Sequence, residues 1–205
     1  MIPKDATRLW EELRHRDPNE KLDWIRQLAE NPTPESIEVL LDVLKQESWF
    51  LREQASRALA GLGEQVVEPL IEFLGSGLWY TRTAAAAALG TMGLPIAAAP
   101  LTELLRDPNR TVRDAGRDAL LKMCRNEMGR HAVAVSFRDL PERAQRFALD
   151  GLAARDPEIG SQLGALLRDP DLRHRDEEPL ARAVNDDGFR WEDVVGENGA
   201  ESGSA

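Results

Sequence analysis

LREQASRALAGLG, residues 51–63, returns without gaps as TRTAAAAALGTMG at 81–93 and as VRDAGRDALLKMC at 112–124. The second position is arginine each time, Arg52, Arg82 and Arg113, at spacings of 30 and 31. A fourth window, HRDEEPLARAVND, places Arg175 a further 62 residues on, which is two periods. Self-similarity at such a period marks a repeat architecture, in which each unit buries its apolar face against its neighbours.

The segments upstream keep the same register. Twelve residues before the four arginines stand Leu40, Leu70, Leu101 and Leu163, and eight before them stand Leu44, Leu74, Leu105 and Leu167. Six residues after them stand Ala58, Ala88, Ala119 and Ala181. Apolar residues at i, i+3 and i+4 form one face of a helix. Each unit therefore reads as two amphipathic helices, the first with leucine knobs and the second with small residues that allow close approach. Two weaker units complete the array. FALDGLA from Phe147 mirrors RALAGLG from Arg57, with Glu142 in the arginine place, and near the N-terminus Lys21 takes that place.

Punctuation falls at matching points. Arg-Asp-Pro occurs at Arg16, Arg106, Arg155 and Arg168. Arginine suits the negative end of a helix, aspartate caps the next one and proline fits its first turn. Pro69 and Pro100 also fit first turns. Gly61, Gly63, Gly90 and Gly93 are expected to stop helices.

The pattern L-x-x-L-L-x-(D)-x-x-x-V-R-x-x-A-x-x-A-L-G is carried by VLLDVLKQESWFLREQASRALAGLG, LIEFLGSGLWYTRTAAAAALGTMG and ELLRDPNRTVRDAGRDAL. It resembles the HEAT-like repeats first described in phycobilisome bilin lyases. The resemblance implies an all-α, right-handed α-solenoid of about six helix pairs over residues 5–186. It also implies a convex layer of first helices and a concave, partner-binding layer of second helices. Proteins of this build include scaffolds, adaptors, bilin lyases, metal-dependent hydroxylases and alkylpurine DNA glycosylases, so the motif specifies fold far better than function.

Composition narrows the function. Hydrophobic residues make up 42% of the 205, enough for a core, and aromatics only 5%. The formal net charge of -10 opposes a polyanion, so nucleic acid is a disfavoured partner and a basic protein surface a favoured one. Cys124 is the only cysteine, and no stretch resembles a secretory signal or a membrane span, which points to a cytoplasmic protein. The histidines His15, His131 and His174 are far apart, and no metal, nucleophile-elbow or phosphate-loop motif is present, so neither cofactor nor catalysis is expected. Cys124, among apolar neighbours, reads as a buried small hydrophobe.

Three features compete for the role of binding site. Arg52, Arg82 and Arg113 sit in first turns, where a cation opposes the helix dipole, so each needs a compensating partner. Either they bond to acids or carbonyls of the adjoining unit, or they form a carboxylate-binding row that Glu142 interrupts. Trp49-Phe50 and Trp79-Tyr80 occupy equivalent places in successive units. They either pack between units or expose aromatics beside arginine, the usual chemistry of interface hot spots. The run from Arg106 through Arg110, Arg113, Arg117 and Lys122 to Arg125 is interleaved with Asp107, Asp114 and Asp118, which reads as a self-neutralised helix face.

The end of the chain, residues 187–205, departs from the repeat and is acidic, with Gly, Ser and Ala at its tip. Phe189 and Trp191 there fit either a short cap over the last unit or a linear motif that docks on another protein. The combined reading is a non-catalytic scaffold or adaptor. It would bind a protein on the second-helix face through Trp49, Phe50, Arg52, Trp79, Tyr80, Arg82 and Arg113, as a monomer or as a subunit of a hetero-complex. A bilin-lyase-like enzyme subunit and a nucleic-acid-binding HEAT protein are the rival readings.

Overall fold

Leucine-rich and alanine-rich helices alternate along the chain, and that alternation sorts them into two layers. The computed structural model describes residues 6–172. Two compact units divide the chain, Met1–Arg168 and Asp169–Ala205, and of the second only residues 169–172 are described. Arg175, Phe189, Trp191 and the expected cap at 187–205 lie outside the described residues.

The first unit holds helices α1 (Ala6–Arg14), α2 (Pro18–Glu30), α3 (Pro34–Gln46), α4 (Trp49–Ala60), α5 (Val67–Leu74), α6 (Trp79–Met92), α7 (Ala98–Glu103), α8 (Arg110–Met123), α9 (Glu127–Arg138), α10 (Glu142–Ala153) and α11 (Pro157–Arg168). No strand occurs among the described residues. Odd-numbered helices pack on odd-numbered ones, α1 on α3 and α7 on α9 on α11. Even-numbered helices do the same, with α2, α4, α6 and α8 in sequence. This is the helix-pair stack of a HEAT-type solenoid.

The leucine register supplies the core: Leu40, Leu44, Leu70 and Leu101 are fully buried. Removing such side chains from water is the main stabilising term, about 1.5–3 kcal/mol for each. Caps fix the starts of helices. Asp17 accepts the amides of Asn19 and Glu20 while Glu20 returns a bond to the Asp17 amide, a complete capping box ahead of Pro18. Ser48 accepts the Leu51 amide at the start of α4, and Asn109 accepts the Thr111 amide at the start of α8. Pro69 and Pro100 lie in the first turns of α5 and α7, as expected.

Two expectations about punctuation are corrected. Gly90 does not stop α6; the helix runs on to Met92 and ends at Gly93, whose φ of 66° is the left-handed turn that glycine adopts without strain. Gly90 instead lets α8 approach, since a Cβ there would lie 2.5 Å from Ala119 Cα and 2.7 Å from Ala119 Cβ. Asp107 does not cap α8 either, because Asn109 does so and leaves Asp107 for a contact described below.

Buried hydroxyls tie neighbouring repeats together. Ser56 Oγ donates to the Ala84 carbonyl at 2.9 Å, and Thr81 Oγ1 donates to the Leu44 carbonyl at 3.1 Å. Thr102 and Ser136 share a bond of 2.9 Å between α7 and α9. Each satisfies a polar group that would be costly to bury alone.

Candidate partner-binding edge

The arginines in the first turns of α4, α6 and α8 are held by a repeated device. Nη1 of Arg82 donates to the Ser76 carbonyl at 2.6 Å, Nη1 of Arg113 to the Asp107 carbonyl at 2.7 Å, and Nη1 of Arg52 to the Glu47 carbonyl. Each arginine thereby clamps the loop that leads into its own helix. These bonds compensate the unfavourable encounter with the helix dipole.

The rest of the Arg82 head group faces the next repeat. Nε and Nη2 of Arg82 form a fork on the Asp107 carboxylate at 2.8 and 3.0 Å, with both side chains about one-tenth exposed. Asp107 Oδ1 also accepts the Asn109 amide at 2.8 Å. Burial pushes the Asp107 carboxyl up, but the Arg82 bonds and the Asn109 amide outweigh it and hold its pKa below the ordinary value. Lys21 Nζ meets the Glu47 carboxylate at 2.5 Å and takes the same role one unit from the N-terminus. The result is a ladder in which a cation of one repeat grips an acid in the loop of the following repeat.

Arg52 departs from that scheme. No carboxylate among the described residues pairs with it. Its guanidinium instead stacks on the Tyr80 ring, 4.4 Å from the centroid. Tyr80 in turn meets Trp79 edge to face, with centroids 5.8 Å apart and planes at 78°. Trp79 is 45% exposed and Trp49, its counterpart one repeat earlier, is 70% exposed. Phe50 and Leu78 beside them are also exposed. Five apolar or aromatic side chains thus gather at the starts of α4 and α6, with Arg52 bridging the two helices. Of the two readings of the tryptophans, packed between units or exposed, the structure shows exposure.

The structure separates the remaining candidates from this edge. Arg82 belongs to the ladder, and Arg113 is held by the Asp107 and Pro108 carbonyls of the loop before its own helix. Along α8 the arginines are neutralised, because Arg110 and Arg117 lie 3.7 and 2.9 Å from Asp114. Arg155, which the sequence marks only as helix punctuation, adds a third claim on Asp114 at 2.9 Å and a bond to Asp118. Glu142, in the arginine place of its unit, pairs with Arg146 in its own helix. Cys124 is fully buried, and burial pushes its thiol up to about 12, so it lacks the thiolate a nucleophile requires. Among the described residues no group of three or more His, Cys, Asp or Glu is placed to hold a metal ion, and no helix is long and apolar enough to cross a membrane.

The fold and this edge define a class: an array of stacked helix pairs with exposed aromatic side chains at the starts of two adjacent helices. The family model of HEAT repeats matches residues 52–121, from the first turn of α4 to nearly the end of α8. The match covers 70 of the 205 residues, and it identifies HEAT repeats in that stretch. HEAT repeats generally mediate protein–protein interaction and are typically non-catalytic. No curated protein matches the chain.

Proposed function

We propose that this protein is a non-catalytic scaffold or adaptor that seats a partner protein on the edge formed by Trp49, Phe50, Leu78, Trp79 and Tyr80. The observation that carries this reading is the exposure of two equivalent tryptophans on adjacent repeats. Large aromatics left in water lose the stabilisation that burial would provide, and clusters of them beside an arginine are the usual energetic centre of an interface. The net charge of -10 steers partners of neutral or positive overall charge toward it and slows the approach of polyanions. A free, unreactive thiol fits a reducing compartment such as the cytoplasm.

The test uses the whole chain. Wild type and a Trp49→Ala/Trp79→Ala double variant serve as baits in quantitative affinity capture, with far-UV circular dichroism to verify folding. Loss of the wild-type partners by a folded double variant supports the reading. Undiminished capture by that variant overturns the assignment.

A further inference from the structure

The layer of second helices changes character after α8. Helices α6 and α8 pack extensively, whereas α8 and α10 meet at few residues. One place in the repeat accounts for the difference. Ser56, Ala86 and Arg117 each stand four residues after the arginines Arg52, Arg82 and Arg113. Ser56 donates to the Ala84 carbonyl of the next second helix at 2.9 Å, and Ala86 is fully buried. In α8 the same place holds a long arginine whose side chain is mostly buried. The Arg117 guanidinium lies 5.8 Å from the Phe147 ring of α10, and a Cβ at Gly151 of α10 would stand 3.1 Å from Arg117 Nε. A small residue at this place lets two helices close on each other; an arginine keeps them apart and leaves Phe147 59% exposed.

We infer that the α8–α10 seam is an electrostatic latch. Arg117 spaces the helices, Arg155 ties them across the gap, and the α10–α11 pair swings away from α8 when that tie is broken. Arg155, in the loop after α10, donates from Nη2 to Asp114 Oδ1 at 2.9 Å and from Nη1 to the Asp118 carboxylate. These three side chains are between one-third and two-thirds exposed. Exposed ion pairs are weak, and the screening length falls from about 30 Å at 0.01 M salt to about 3 Å at 1 M. Asp114 Oδ1 also accepts Arg117 at 2.9 Å, so Arg155 shares that oxygen with the spacer. Contacts on the other side define the moving body. Helices α10 and α11 touch at backbone distance, since a Cβ at Gly160 would lie 2.7 Å from Ala153 Cα. Helix α11 packs on α9 with Leu163 fully buried, and the Thr102–Ser136 bond fixes α9 to α7. The α9–α11 seam is therefore the pivot. The α6–α8 seam, closed by Gly90 against Ala119, has no such freedom. The latch is independent of the aromatic edge and would stand without it.

Nitroxide labels on the full-length protein test the latch. One pair sits on Lys122→Cys of α8 and Asp150→Cys of α10, both exposed positions. The control pair sits on Lys122→Cys and on Thr91→Cys of α6, an exposed position and the equivalent place one repeat earlier. Labelling under native conditions spares Cys124, which is fully buried. Pulsed dipolar electron paramagnetic resonance measures each pair between about 0.01 M and about 1 M NaCl. Circular dichroism verifies that every variant is folded. The α8–α10 distance is expected to lengthen with salt by about 5 Å, half of a helix spacing of about 8–10 Å, while the control distance holds. Arg155→Gln and, separately, Asp114→Asn/Asp118→Asn are expected to show the long distance already at low salt. Arg117→Ala is expected to bring α10 closer to α8 than in wild type. An α8–α10 distance that ignores salt, or one that lengthens no more than the control, overturns the latch. Wild-type distances in both tie variants overturn it as well, and an unchanged distance in Arg117→Ala refutes the spacer.

Discussion

Gly90→Ala is expected to destabilise the protein although alanine is the better helix former. The added methyl would sit 2.5 Å from Ala119 Cα and 2.9 Å from its carbonyl oxygen, whereas non-bonded carbons rest at about 3.5–4.0 Å. The atoms it meets are backbone or fixed directly to it, so no rotamer change relieves the contact. Helices α6 and α8 must separate by about 1 Å, and the buried alanines of α6 lose close contact with their neighbours. Overpacking of this kind costs about 1–3 kcal/mol, and rigid neighbours place it near the upper end. Replacing glycine within a helix returns about 1 kcal/mol. The net loss is therefore about 2 kcal/mol, or about 1 M in the urea midpoint for a slope of about 2 kcal/mol per M. Gly164→Ala is the control, because its methyl would make only ordinary contacts, at 3.7 Å to Arg168 and 3.9 Å to Leu149. It should raise the midpoint through helix propensity alone. Urea unfolding followed by circular dichroism reads both. A Gly90→Ala protein as stable as wild type would refute the close-approach account of the α6–α8 seam.

Asp107→Ala should cost about 2 kcal/mol by stranding Arg82 and the Asn109 amide. The pH dependence follows from the depressed pKa: the contribution of Asp107 is fully present above its ordinary value of 3.8 and is lost as pH falls through the lower folded-state value. Acid unfolding of wild type should thus steepen below about pH 4 relative to the alanine variant, and parallel curves would contradict the rung. Cys124 should resist a thiol-specific chromogenic reagent in the native protein and react stoichiometrically in guanidinium; rapid native labelling would contradict its burial. Thr81→Val should lose about 1–2 kcal/mol by leaving the Leu44 carbonyl without its donor, measured by thermal unfolding.

Periodicity made most of the fold legible. A stack of equivalent units imposes the same packing demand every 30 or 31 residues, so Arg, Leu and Ala recur visibly and the starts of α4, α6 and α8 follow. Gly90 was misread because a glycine near a helix end signals a stop and a close approach equally, and only the position of α8 decides. The partner of Arg82 lies 25 residues away in a loop, and its pairing depends on side-chain direction, which spacing does not encode. For the same reason the tryptophans were found by their repetition, but their exposure was not, since an apolar ring suits both a buried seam and an interface.

The ladder has a direction, because Lys21 and Arg82 both reach forward into the loop that follows. A chain cut between Arg106 and Asp107 would leave Arg82 on one fragment and its acid on the other, and rejoining those fragments would weaken as salt is added. A cut between Ser76 and Gly77 would part no carboxylate from a cation. Its fragments would meet through apolar surface, the hydroxyl bonds of Ser56 and Thr81, the Arg52–Tyr80 stack and the Arg82 bond to Ser76, then a chain terminus. The side-chain ion pairs therefore mark one seam whose reassembly requires Arg82 and Asp107 to meet and another whose reassembly does not.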